Sequence, residues 1–438
     1  MFHFQYSLFY DLQILLQSSS FYKKYYLLFK ALDLSDFPDR NYGVGRSGYS
    51  RHAFIRAFIV KHLEEIKSVP RLIEFLDAHP ALSEMCGFSM GCLPDESQLY
   101  RFLKDTKNSS FEKLHHALNK KLIASGAVSM GHLLIDSKPI MAATRENNFK
   151  NPGRNTHDKR KKPKRNPSAT LSYYSYTKAA AGKKNISFFW GYRTHVITSA
   201  EGIALIELTL KNNITDAKVA KKLIKKLKRV YGLKKGAKII ADAGYDEREL
   251  YNFIVDELGC KAFIPINPRN TKAEKMLDHF GRPLCEAGLP MKSDGAWREG
   301  LRDRLKYRCP IKMDSKTALE HPLGCPAQNQ KFSEGKAYGC TKYLDVTDDA
   351  RSKVPRDSDS YKRTYRKRIE VERYFSRLGD RETEQTTHYK MRSIKNQVTI
   401  AHLSLSLIAY AATVVMKQPK KLRCYRTFAD GFPISLAA

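Results

Sequence analysis

Between residues 131 and 266 short apolar runs alternate with helical patterns, and this alternation limits the fold more than any other feature of the chain. "GHLLIDSKPI" (131–140) is a brief apolar run ending in Asp136, consistent with a buried strand. "ISFFWGYRTHVITS" and "IALIELTL" read as a strand pair joined by the turn "AEG". "TDAKVAKKLIKKLKRVYG" is an amphipathic helix with Thr215 at its N-cap and Gly232 near its end. "GAKIIADAGYD" is a strand ending at Asp242, "DERELYNFIVDELG" a helix and "CKAFIPI" another strand. Such an order predicts an α/β sheet rather than a bundle.

The flanks differ. Residues 1–125 read as a helical N-terminal domain expected to bind DNA: "RHAFIRAFIVKHLEEI" sets Phe54, Ile55, Phe58, Ile59 and Leu63 at helical spacing, and "DESQLYRFLKD" opens with acids suited to a positive helix end. The first part of the α/β core covers 126–270. Residues 271–350 hold Gly, Pro and Cys without long periodic runs and read as an irregular insertion. Residues 351–438 bring a core helix starting near Ser358 and a C-terminal helix over roughly 393–416. The apolar stretch Val398 to Val415 is near spanning length, yet it carries His402, two Ser and two Thr. It reads as a buried helix, with no membrane role. The first ten residues lack the basic and small-residue pattern of a secretory signal, so a cytoplasmic chain is expected.

The formal charge of +32, from 77 Lys and Arg against 45 Asp and Glu, points to a polyanionic partner. A membrane surface or a ribosome would also satisfy it. The basic run "DKRKKPKRNPS" (158–168) is a phosphate contact at most.

Three acids occur at element ends: Asp136 and Asp242 on strands, and Glu370 or Glu372 in "YKRTYRKRIEVERYF" (361–375). Singly, each has an ordinary reading as a turn residue or a helix-surface ion pair. Together they are hard oxygen ligands on separate elements, as two-metal phosphodiester cleavage requires. Helical spacing puts Tyr365, Arg368 and Glu372 on one face and turns Glu370 away, where Arg366 or Lys367 is expected to pair with it. Arg363, Lys367 and Arg373 are then available to phosphates.

These residues resemble the DDE transposases of bacterial insertion sequences, in the branch with a Tyr-x2-Arg-x3-Glu-x6-Lys signature. "YRKRIEVE" gives Tyr365, Arg368 and Glu372 at that spacing, and "LLIDSKPI" and "IIADAGYD" resemble the two Asp strands. The N-terminal run "GYSRHAFIRAFIVKHL…LIEFLDAHPAL…DESQLYRFLKD" resembles the helical region of the same group, so the likeness spans roughly 40–415. It implies a ribonuclease-H-like core, with Asp136, Asp242 and Glu372 as ligands of Mg²⁺ or Mn²⁺. It implies nicking at element ends, then attack of the freed 3′-OH on target DNA, with Tyr365 and Arg368 on DNA phosphate. DNA ends and target are the implied partners, with a homodimer in the synaptic complex and a nucleoid-associated, cytoplasmic location. One departure is plain: the signature Lys falls at Gly379.

Cys285, Cys309, Cys325 and Cys340 share the insertion at spacings without a Cys-x2-Cys knuckle. Four thiolates would hold a structural Zn²⁺, with His279 and His321 as further candidates. The alternative is reduced cysteines acting as small buried hydrophobes. Two other functions stay open at this point: a non-catalytic DNA-binding protein, zinc-stabilised or not, and a related nuclease that cuts without joining strands.

Overall fold

The computed structural model describes residues 12–39, 48–89, 91–142, 144–147, 158, 160–164, 166–177, 184–267, 277–278, 280–334, 337–378, 391–415 and 417. Gly379, His279 and Cys424 lie outside them.

Among the described residues, seven helices precede the sheet: α1 (Leu12–Ser18), α2 (Ser20–Ala31), α3 (Arg51–Leu63), α4 (Val69–Asp77), α5 (Pro80–Cys86), α6 (Glu96–Asp105) and α7 (Asn108–Ala124). Side-chain caps start several of them: the Ser50 and Ser68 hydroxyls and the Asp95 carboxylate each accept a first-turn N–H. α3 buries Phe54, Ile55, Phe58 and Ile59 against Phe102 of α6 and Phe111 of α7.

The sheet follows: β1 (His132–Met141), β2 (Thr170–Thr177), β3 (Lys184–Ser199), β4 (Ala204–Lys211), helix α8 (Asp216–Tyr231), β5 (Lys238–Ile240), helix α9 (Arg248–Asn252) and β6 (Lys261–Phe263). β1 is central. It runs antiparallel to β3 on one side and parallel to β5, then β6, on the other. β2 and β4 both pair with β3. An antiparallel meander beside parallel strands reached through helical crossovers fits a ribonuclease-H-like core. The sequence reading held no strand at β2.

Gly191, where β3 leaves β2 for β4, shows how tightly β1 and β3 approach: a Cβ there would lie 2.1 Å from the Ile140 carbonyl oxygen. Backbone cannot yield as a side-chain tip can. Gly191→Ala is therefore expected to cost about 1–3 kcal/mol by overpacking, read as a lower urea midpoint.

The described residues of 271–350 correct an expectation of irregularity. It contains a three-stranded antiparallel sheet of β7 (Lys292–Glu299), β8 (Arg302–Arg308) and β9 (Thr341–Asp345). Between β8 and β9 lie three short helices, α10 (Pro310–Met313), α11 (Ser315–Glu320) and α12 (Gln330–Ser333).

The chain then re-enters the core. α13 (Asp359–Tyr365), capped by the Ser358 hydroxyl, passes through a 3-10 turn at Arg366–Arg368 into α14 (Ile369–Leu378). The last described helix, α15 (Met391–Tyr410), lies against α7, α3, α6 and β4. The helical span Ser393–Val415 is long and apolar enough to cross a membrane, with mean hydropathy 1.8 over its most apolar 18 residues, but 72% of that window is buried inside the fold. Its polar side chains have protein partners: Asn396 donates to the carbonyls of Leu103 and Thr106, and Thr399 to the Glu207 carboxylate at 2.6 Å. It is a core helix shared by the N-terminal helices and the sheet.

Candidate active site

The register of two strands brings the first two acids together. Leu134 and Ile240 are partners across the parallel β1–β5 pair, so Asp136 and Asp242, each two residues on, emerge side by side on the same face. Asp242 then caps a 3-10 turn, accepting the Gly244 N–H at 2.8 Å.

Helix α14 is held over this point by one apolar contact set. Leu134, Ile240 and Val371 form a small buried cluster with Phe263, Tyr365 and Phe375 at its edge. The two strand members precede Asp136 and Asp242 by two residues, and Val371 precedes Glu372 by one. Three buried side chains thus carry three carboxylates above them.

The acids converge on a single guanidinium. Arg368 Nη2 lies 3.1 Å from Asp136 Oδ2 and 3.8 Å from Asp242 Oδ2, and Nη1 bonds to the Glu372 carboxylate. Burial raises the Asp136 carboxyl to about 6, against the pull of Arg368 and the Ser137 N–H, and the charges of Asp242 and Glu372 push it the same way as burial. Burial works against the Arg368 cation, but the acids around it outweigh that and raise its pKa. Among the described residues no group of three or more His, Cys, Asp or Glu is already set to hold a metal ion. Between these three carboxylates the space is taken by Arg368. The donor set itself, three carboxylates from separate elements, suits a hard divalent cation.

The remaining candidates divide. Tyr365 stacks on Tyr361, ring centroids 5.8 Å apart, and burial raises its phenol pKa. Lys367 donates to His132 Nε2 at 3.0 Å. Arg363 is exposed. Glu370 pairs with Arg373 at 2.5 Å and not, as spacing suggested, with Arg366 or Lys367. Lys367 is instead drawn to β1. Arg377 donates to the Gly202 carbonyl at 2.8 Å and so is anchored to the β3–β4 turn.

Three residues at the site had no role in the sequence reading. Asp216, at the start of α8, lies 3.6 Å from Arg193 and 3.8 Å from the fully buried His195. Its carboxyl pKa is raised by burial, with Arg193 opposing and Asp242 adding to the rise. Arg193 also donates to the Ser137 hydroxyl at 3.0 Å, beside Asp136. Asp216 was hidden because an acid in a first helical turn looks like an ordinary partner of the helix dipole. Thr215, the expected cap, makes no side-chain cap bond. The third, Asp246 of "DAGYD", is fully buried and holds Arg351 through two contacts of 2.6 Å. That pair ties the core to the chain returning from the insertion.

Two family models match this chain. One, described as a transposase DDE domain, covers residues 129–407, well over half the chain; the other, described as a transposase domain (DUF772), covers 15–105. No curated protein matches. Among solved structures, a synaptic complex of the piggyBac transposase with hairpin DNA is 9% identical, over 94% of this chain and 81% of that one, with a TM-score of 0.37. A pre-cleavage Mos1 transpososome is 12% identical, over 81% and 84% of the two chains, with a TM-score of 0.17. At these scores neither likeness bears on what this chain does. The match across the sheet, the acids and the returning helices does: the chain belongs to the family of transposases that carry the DDE domain.

Proposed function

We propose that this transposase cuts the ends of its own element and joins the freed 3′-OH to target DNA, using Asp136, Asp242 and Glu372 as metal ligands. The observation that supports the reading most is the meeting of three carboxylates, from β1, the end of β5 and α14, around one cation. Mg²⁺ or Mn²⁺ held there would activate the attacking oxygen and steady the leaving one. With such an ion bound, Arg368 would be released from the acids and would contact, with Arg363, Lys367 and Arg373, the phosphates of the cut strand. A planar guanidinium suits that task, since it meets phosphate through two parallel bonds. The positive charge of the chain draws the DNA and makes its binding salt-sensitive. Two ends must be held at once, so a homodimer is the working assembly.

The test is a cleavage and joining assay on duplexes carrying the element's terminal repeats, with Mg²⁺ or with a chelator. Nicked ends and joined target are expected with Mg²⁺ and neither with chelator. Cutting without joining would favour a nuclease. Binding without metal-dependent cutting would leave a DNA-binding protein with structural acids.

A further inference from the structure

We propose that the insertion carries a structural zinc site formed by Cys285, Cys309, Cys325 and Cys340, separate from the acids of the core. The fold brings these four residues together although 55 positions separate the first from the last. Cys309 and Cys340 are placed by register: Arg308 of β8 pairs with Thr341 of β9, so the next antiparallel position sets Cys309 opposite Cys340. The approach is close enough that a Cβ on Gly339 would lie 2.8 Å from Cys309 Cβ and 3.3 Å from its Sγ. Cys285 enters through packing, in one small cluster with Met291 and Tyr307, against which Cys340 also rests. Lys342, donating to the Leu284 carbonyl at 2.7 Å, fixes the Cys285 turn to the start of β9. Cys325 comes in on a turn closed by the Gln328 N–H on its carbonyl. Asn329, at the end of that turn, donates to the Glu286 carboxylate at 2.7 Å, beside Cys285.

The chemistry of the cluster agrees with this placement. All four cysteines are free thiols. The Cys340 sulfur lies within hydrogen-bonding reach of the Cys309 sulfur and close to those of Cys285 and Cys325. Zinc would replace up to four thiol protons with four sulfur bonds, releasing the protons to solvent.

The surrounding segment also lacks other support. α11 and α12 bury no side chain, and Leu319 and Leu323 are exposed. A stretch with so little apolar core needs a cross-link to hold one shape. Among the described residues no three ligating side chains are placed to hold an ion, so zinc binding requires the four sulfurs to draw closer together.

The experiment is elemental analysis of the full chain, purified under reducing conditions without chelator and, in parallel, reconstituted with Zn²⁺. About one zinc per chain is expected. Cys325→Ser and Cys340→Ser should fall to about a tenth of that, while Cys92→Ser, at an exposed position elsewhere, keeps it. If the variants fail to fold, titration of metal-stripped wild type with Co²⁺ decides alone, through the visible bands of a tetrahedral thiolate site. A wild type that takes up neither zinc nor Co²⁺ in this form overturns the proposal. So do variants that bind as much as wild type, or a non-reducing mass showing the four cysteines oxidised in pairs.

Discussion

Replacing Glu372 with Gln is expected to slow metal-dependent cleavage of element ends by about 10³-fold, while Glu370→Gln stays within about threefold of wild type. The two glutamates are two residues apart on α14 and share a strongly basic neighbourhood. Their surroundings separate them. Glu372 reaches Arg368 and, through it, Asp136 and Asp242. Glu370 is turned to Arg373 on its own helix. Lewis-acid stabilisation of a phosphodiester transition state is worth several kcal/mol, and losing about 4 kcal/mol of it gives the thousandfold figure. An exposed i,i+3 ion pair is worth only about 0.5 kcal/mol, which leaves the rate nearly unchanged. Single-turnover cleavage of a labelled terminal duplex reads both. Equal loss in the two variants, or none in either, would remove Glu372 from the metal site.

Asp246→Ala is expected to destabilise the protein by about 3–5 kcal/mol, the usual cost of stranding a buried charge. The carboxylate is fully buried, bonded by both oxygens to Arg351, and also accepts the Asn267 N–H at 2.7 Å. Removing it leaves the Arg351 guanidinium in a poorly solvated place without its main partner. Arg351→Ala should cost a similar amount, and the double variant clearly less than the sum, because each single change already breaks the pair. Urea unfolding of the three variants measures this. A loss below about 1 kcal/mol for Asp246→Ala would mean that water screens the pair. The neighbouring Arg356 reinforces the same junction, donating to the Ile264 carbonyl at 2.9 Å and to the Tyr251 hydroxyl at 2.7 Å. Together these contacts hold the two ends of the insertion against β6 and α9.

The core was legible in the sequence because its strands are buried and its helices amphipathic. β1, β3, β4, β5 and β6 all fall on apolar runs, and α8 shows an apolar stripe of Ala217, Val219, Ala220, Leu223, Ile224 and Leu227. β2, with the sequence TLSYYSYT, was missed because it mixes polar and aromatic residues and borders a basic loop. The insertion strands were missed for a stronger reason. KSDGAWRE is half charged and RDRLKYR mostly charged, and β7 is largely exposed, so no alternating burial marks them.

At the site, counting residues around an ideal helix separated Glu372 from Glu370, although the segment is not one continuous α-helix. A 3-10 turn at Arg366–Arg368 interrupts it, and only the four-residue step from Arg368 to Glu372 had to survive. Asp216, Arg193 and Arg351 left no local signal. Their partners are far away in the chain, and a single sequence does not carry that pairing.

The order in which the acids occur along the chain has a consequence for synthesis on the ribosome. Glu372 emerges about 130 residues after Asp242, at roughly 5–20 residues per second an interval on the order of ten seconds. Until then a nascent chain holds two of the three carboxylates proposed as metal ligands. α15 follows later still, and until it arrives the N-terminal helices lack Ile394, Val398, Leu403 and Leu407 from their common core. A message broken before the codon for Glu372 would therefore yield a chain that lacks α15, exposes apolar surface to proteases and carries only two of the three proposed metal ligands.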